Sequence, residues 1–189
     1  MNTDYTVRSK TRPDEFNLLH TMDLLRRTPE ILRVLLSDLP EELVRVNEGP
    51  GTWSSFDVVG HLIHGEKTDW IPRARIILEH GEDRAFDPFD REAMLNESKG
   101  KACKQLLDEF ATLRSKNIEM LQQMNLSQAD FARKGKHPAL GEVNLGQLLA
   151  TWVTHDLDHL AQIIRVTGKH FDTFVGPWRE YLSVLKDRT

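Results

Sequence analysis

At 189 residues the chain has room for one domain with elaborated connections rather than for two full ones. Apolar residues at 39% and charged residues at 29% are the balance of an ordinary globular protein, and no apolar run approaches the roughly 20 residues of a bilayer span. The net charge of -4, from 25 Lys+Arg against 29 Asp+Glu, argues against a nucleic-acid partner, while the single cysteine, Cys103, excludes an internal disulfide and any multi-thiolate metal site. The start, Met1-Asn2-Thr3-Asp4-Tyr5, leads into charged residues without a greasy secretory stretch, so the expected compartment is the cytoplasm. The whole chain, 1–189, reads as one domain, with residues 1–13 a flexible N-terminus.

Periodicity is helical nearly throughout, and no segment shows the alternation of a half-buried strand. Leu18, Met22 and Leu25 open the first apolar stripe, which resumes at Ile31, Leu32, Leu35 and Leu36. Pro29 between the halves predicts a kink or a restart, and Pro40 ends the segment. A loop follows at residues 47–52, then Trp53 and a cap at Ser54, with Asp57 three residues on. The helix it opens should span residues 55–80, bent at Pro72 and stopped by Gly81. A third helix is expected from just after Asp90 to Met124, with a seam of Cys103, Leu106, Phe110, Leu113, Asn117, Met120 and Met124. Residues 125–143 read as a long polar connection. Asn144, with Gln147 three residues later, caps a fourth helix ending near Gly168. A short fifth covers residues 177–185. The expected fold is therefore all-α: a four-helix bundle with long crossover connections plus a short C-terminal helix.

The histidines decide what such a bundle does, because imidazole is both a common metal ligand and an acid–base group near neutral pH. The fourth helix has the seam Leu148, Trp152, His155, His159, Gln162, Val166, so two imidazoles occupy positions where a structural bundle would place apolar side chains. At i and i+4 they project from one face and can share an ion. Hydrogen-bonded core histidines are the other reading of the same pair. A third ligand would have to come from a facing helix, and Gly60-His61-Leu62-Ile63-His64-Gly65-Glu66 offers His61 and His64, with Gly65 able to admit a close neighbour.

Together these pieces resemble the DinB-like superfamily of helical-bundle metalloproteins. The resemblance rests on Trp53-Ser54 opening a helix, on Val59-Gly60-His61-Leu62 with Glu66 following, and on His155-Asp156-Leu157-Asp158-His159 with Gln162-Ile163 behind it. It covers about residues 14–168. What it implies is one divalent metal ion, zinc or nickel, on His61, His155 and His159. It also implies a small-molecule substrate, a low-molecular-weight thiol as co-substrate in some relatives, and a homodimer. Relatives include bacillithiol-dependent S-transferases and mycothiol-dependent isomerases, and many others have no assigned reaction. At His64 the chain departs from relatives that carry an acidic residue there.

Three neutral nitrogens leave an ion doubly charged with open positions, which suit either hydrolysis or thiol transfer. A metal- or ligand-binding protein without turnover is the alternative. His64 and Glu66 are the candidate acid–base groups, and Glu66, Asp156 and Asp158 are the carboxylates that could orient the imidazoles. Cys103, among seam residues, reads as packing rather than as a nucleophile.

Overall fold

The computed structural model describes residues 15–186, so the expected flexible N-terminus at 1–13 lies outside the described residues. Seven α-helices run in chain order: α1 (Leu18–Leu36), α2 (Glu41–Arg45), α3 (Ser55–Thr68), α4 (Trp70–His80), α5 (Ala93–Glu97), α6 (Cys103–Gln123) and α7 (Leu145–Lys169). Four of them form the bundle. α1 packs on α6 and α7, and so does α3, which places α1 and α3 on one diagonal.

The direction of each helix follows from the two apolar clusters it joins. One cluster takes Met22 and Leu25 from α1, Ile118 and Leu121 from α6, Leu149 and Trp152 from α7, and Trp70 and Ile77 from α4. The other takes Leu32 and Leu36, Leu106 and Phe110, Leu160 and Ile163, and Val59 and Leu62 of α3. Residue numbers therefore rise from the first cluster to the second along α1 and α7, and fall along α6 and the α3–α4 pair. Thus α1 runs parallel to its neighbour α7, and α3 parallel to α6, which only the long connections allow.

Between the clusters lies a polar layer to which every bundle helix contributes, with Thr28, Glu66, Arg114 and Asp156 at its centre, all buried. Arg114 donates to both oxygens of Asp156 at 2.6 and 3.0 Å and to Glu66 at 2.9 Å. Thr28 donates to Asp156 at 2.7 Å, and Trp152 Nε1 and Asn117 Nδ2 each donate to Glu66 at 2.9 Å. Arg114 stays charged although buried, because two carboxylates face it.

This layer also explains why α1 is continuous where Pro29 predicts a kink or restart. Pro29 has no N–H for the carbonyl of Leu25, and Arg114 Nη1 supplies the missing donor at 2.9 Å. Further along, the expected single helix over 55–80 divides at Asp69. The break falls one turn before Pro72, where the ring crowds the carbonyl of residue 68 and cannot donate to it. Likewise the expected third helix is two, because Gly100 adopts φ 77° between α5 and α6.

Two corrections concern the connections. Residues 125–143, expected as an irregular connection, contain a 3-10 turn (Gln128–Ala132) and then an antiparallel hairpin of β1 (Lys134–His137) and β2 (Gly141–Asn144). Each strand is four residues of mostly polar type, too short for alternation to register. The hairpin is seated by Gly135 over the Ile77 side chain and by Phe86, whose N–H donates to the carbonyl of Lys136 at 3.0 Å. At the C-terminus the expected fifth helix is instead a pair of 3-10 turns, Gly176–Tyr181 and Ser183–Leu185. Trp178 and Tyr181 are exposed and only Leu185 is buried there, so no packed apolar face sustains an α-helix. Among the described residues, no helix is long and apolar enough to cross a membrane.

Candidate metal centre

The N-terminus of α3 is set by a reciprocal cap. Asp57 N–H donates to Ser54 Oγ at 3.2 Å, and Ser54 N–H donates to Asp57 Oδ2 at 2.9 Å. An equivalent box at Asn144 and Gln147 starts α7. With both starts fixed, α3 presents His61 to the face of α7 that carries His155 and His159.

The three rings meet at their Nε2 atoms. His155 Nε2 lies 3.1 Å from His61 Nε2 and 3.1 Å from His159 Nε2, and one nitrogen from each ring falls within 4.8 Å of the others. Hydrogen bonding among neutral imidazoles does not satisfy this arrangement. A ring nitrogen offers either one N–H or one lone pair, so His155 Nε2 cannot serve both neighbours in line. A cation takes three lone pairs at once, and two nitrogens held about 2.0–2.1 Å from a tetrahedral zinc would stand roughly 3.3 Å apart.

Protonation points the same way. Burial, reinforced by the neighbouring imidazoles, lowers His61 to about 3 and His155 to about 3, so both are neutral, ligand-competent rings near pH 7. His159 Nδ1 faces Gln162 Oε1 at 2.9 Å. That acceptor puts the proton on Nδ1 and leaves the Nε2 lone pair free. The Nδ1 atoms of His61 and His155 are buried with no hydrogen-bond partner among the described residues, so Nε2 is the nitrogen at which these two rings meet a polar partner.

Aromatic rings fix the imidazoles from behind. Trp53 lies 4.7 Å from His61, Trp70 5.2 Å from His155 and Phe89 5.3 Å from His61, centroid to centroid. The cluster opens into a cavity of about 800 Å³, whose wall includes Trp53, Trp70, Arg73, Phe89, Leu140 and Thr151. Part of the wall is the hairpin, including His137.

The remaining candidates separate into three groups. His64 is buried on the next turn of α3, with Nδ1 3.1 Å from Glu97 Oε1 on α5 and its ring 5.0 Å from Phe89. Lys67 holds the other oxygen of Glu97 at 3.1 Å and reaches Glu109 at 2.8 Å. Glu66 belongs to the polar layer. Both its oxygens accept hydrogen bonds there, and burial raises its carboxyl above the ordinary range even beside Arg114. Asp156 shares that layer, whereas Asp158 is exposed on the cavity wall. Gly65 admits the indole of Trp70, the first residue of α4, and the tighter approach falls on Gly60, where an added Cβ would stand 2.5 Å from Oγ of Ser98 at the end of α5. Burial pushes the Cys103 thiol up to about 11, which suits packing and not nucleophilic chemistry.

Sequence reasoning missed Glu97, Arg73 and Arg114. For Arg114 the signal was present: a charge between Phe110 and Ile118 at steps of four, on a buried stripe. Glu97 carries no such signal, since its role depends on where α5 docks.

Known proteins similar to this chain carry metal-related names. A Bacillus licheniformis protein named "Putative metal-dependent hydrolase" is 27% identical over 165 residues, which is 84% of this chain and 92% of that protein. The fold is similar to that of YfiT from Bacillus subtilis, described as "a probable metal-dependent hydrolase with an unusual four-helix bundle topology". That likeness has a TM-score of 0.72 at 22% identity, covering 86% of this chain and 93% of YfiT. The family's sequence profile matches residues 24–163, a stretch that includes all three converging histidines and most of the bundle, and the chain belongs to the DinB superfamily.

Proposed function

We propose that the protein is a metal-dependent enzyme acting on a small molecule, with His61, His155 and His159 holding one divalent ion, zinc or nickel, through their Nε2 atoms. The observation that carries this reading is the meeting of three imidazoles, two of them held neutral by burial, with their Nε2 atoms together at the end of a cavity of about 800 Å³. A divalent ion there would lower the pKa of a bound water or thiol, supplying hydroxide or thiolate near neutral pH. The names of the relatives favour water. The DinB resemblance also supports a low-molecular-weight thiol as the attacking group.

The chain's own residues would do the rest. Gln162 holds the His159 tautomer, and Trp53 and Phe89 shield the cluster from bulk water. His64 is the proton carrier in this reading. Glu97, anchored by Lys67, accepts from Nδ1–H and leaves the His64 Nε2 lone pair to take a proton and return it. Glu66 is a positioning residue that ties α3 to Arg114. The size of the cavity supports turnover over storage, because a storage site gains nothing from an 800 Å³ approach.

Elemental analysis of protein purified without an affinity tag tests the first half, with about one equivalent of metal per chain expected, and little in His155→Ala. A panel of electrophiles incubated with and without low-molecular-weight thiols tests the second. Turnover that ignores thiol assigns hydrolysis, and turnover that requires it assigns transfer. Absence of metal from wild-type protein refolded with zinc or nickel would overturn the proposal.

A further inference from the structure

Arg73, on α4, lines the same cavity as the three imidazoles. It stands about one helical turn (~5 Å) beyond Trp70, whose ring touches His155. Arg73 is only 8% exposed, and although its guanidinium lies 5.3 Å from the Phe86 ring centroid and feels the charge of Asp87, its hydrogen-bonding capacity is only partly used. Nη2 meets Asp69 at 2.8 Å, Nε is buried without a partner, and no second carboxylate lies within ion-pair distance among the described residues. A guanidinium presents five N–H donors in a rigid planar fork, and a buried donor left unmatched, as Nε is here, is costly. The rest of the wall is largely apolar, with Trp53, Trp70, Phe86, Phe89 and Leu140 prominent. A second cation, Arg91, lies on the cavity wall without an ion pair among the described residues, and its charge reaches His61. The acids on the wall do not cancel this, because Asp69 is taken by Arg73 and Asp158 has an interaction of its own.

We infer that the cavity binds a carboxylate-bearing small molecule with an aromatic or apolar body. Its carboxylate seats on the open edge of Arg73, its body lies along Trp70 and Phe89, and its reacting group reaches the imidazole cluster. The single planar fork fits a planar monoanion, which it can hold through two parallel N–H···O bonds. The position of the reacting group rests on the proposed metal centre, whereas the carboxylate contact does not require an ion.

The test therefore uses metal-free protein, in which a carboxylate cannot be captured by the ion. The probes are 3-phenylpropionate and its neutral isostere 3-phenylpropionamide, followed by calorimetry. The acid should bind at least ~10-fold more tightly than the amide, as expected for charge-assisted hydrogen bonds. In Arg73→Gln the two should agree within about twofold, with Arg73→Lys intermediate. Asp69→Asn removes the competing carboxylate and should tighten acid binding several-fold, which keeps the idea testable if Arg73→Gln does not fold. Equal binding of acid and amide across arylalkanoic acids of two to five chain carbons would overturn the inference. So would no binding of either, or an acid preference that survives Arg73→Gln. An acid preference in a protein that never takes up metal would retire the metal centre and leave this assignment standing.

Discussion

Replacing Arg114 with Met is the sharpest test of what holds the bundle in register. The side chain is 1% exposed and makes four hydrogen bonds, to Leu25 O, Glu66 and both oxygens of Asp156. Met fills much of the volume, so the loss is electrostatic. Two buried carboxylates face each other with no cation between them, and the Leu25 carbonyl, already deprived of a donor by Pro29, is orphaned. Removing one partner from a buried ion pair costs about 3–5 kcal/mol, which for a domain of this size lowers the melting temperature by roughly 6–20 °C. Urea unfolding of the metal-free protein, followed by far-ultraviolet circular dichroism, measures it directly. The triple variant Arg114→Met/Glu66→Gln/Asp156→Asn discharges the layer while leaving amides to receive Trp152, Asn117 and Thr28, and should recover at least half of the loss. A cost below about 1 kcal/mol for Arg114→Met, or a triple variant no more stable than the single one, would refute the account of the layer as a coupled ionic unit.

Other expectations follow from the site and the connections. His61 and His155 are lowered from 6.5 to about 3, so as pH falls below 6.5 the unfolded chain takes up protons that the native metal-free protein refuses. Stability should therefore fall with falling pH across the window from 6.5 to about 3, by up to roughly 1.4 kcal/mol per pH unit for each ring; the His61→Gln/His155→Gln variant should show a visibly flatter slope in urea titrations between pH 6 and 4.5. Zinc at a hundredfold excess over its dissociation constant should stabilise the wild-type fold by about 2.7 kcal/mol, and a thermal shift of equal size in His159→Ala would place the ion elsewhere. Gly135→Ala puts a Cβ 2.6 Å from the buried Ile77 side chain; it should cost about 1–3 kcal/mol and raise amide exchange across β1 and β2, with unchanged exchange showing that the hairpin is not seated on Ile77.

Much of this molecule was readable along the chain because helices are local objects. The reciprocal caps at Ser54–Asp57 and Asn144–Gln147 need only residues three apart, and both occur as the spacing predicts. His155 and His159 share a face for the same reason, one turn of backbone, and their place on an apolar stripe sets them apart from solvated side chains. Proline told where helices were at risk but not the outcome. The chain breaks one turn before Pro72, where the carbonyl of residue 68 loses its partner, and runs straight through Pro29, where the guanidinium of Arg114, 89 residues beyond Leu25, restores the bond that Leu25 lost. The hairpin escaped notice because its stability comes from Ile77 and Phe86, not from its own pattern.

Local spacing thus determined the helical character of the chain, the starts of α3 and α7 and a two-histidine face, since each depends on contacts within a turn or two. Only the tertiary structure decided that His61 completes the cluster, that Glu66 is bound into an ionic layer with Arg114, and that Glu97 rather than a sequence neighbour orients His64. Those relations depend on which helices stand side by side and at what height. That order is set by long connections and by the burial of polar groups from four separate helices at one level, and no periodicity in a single segment carries it.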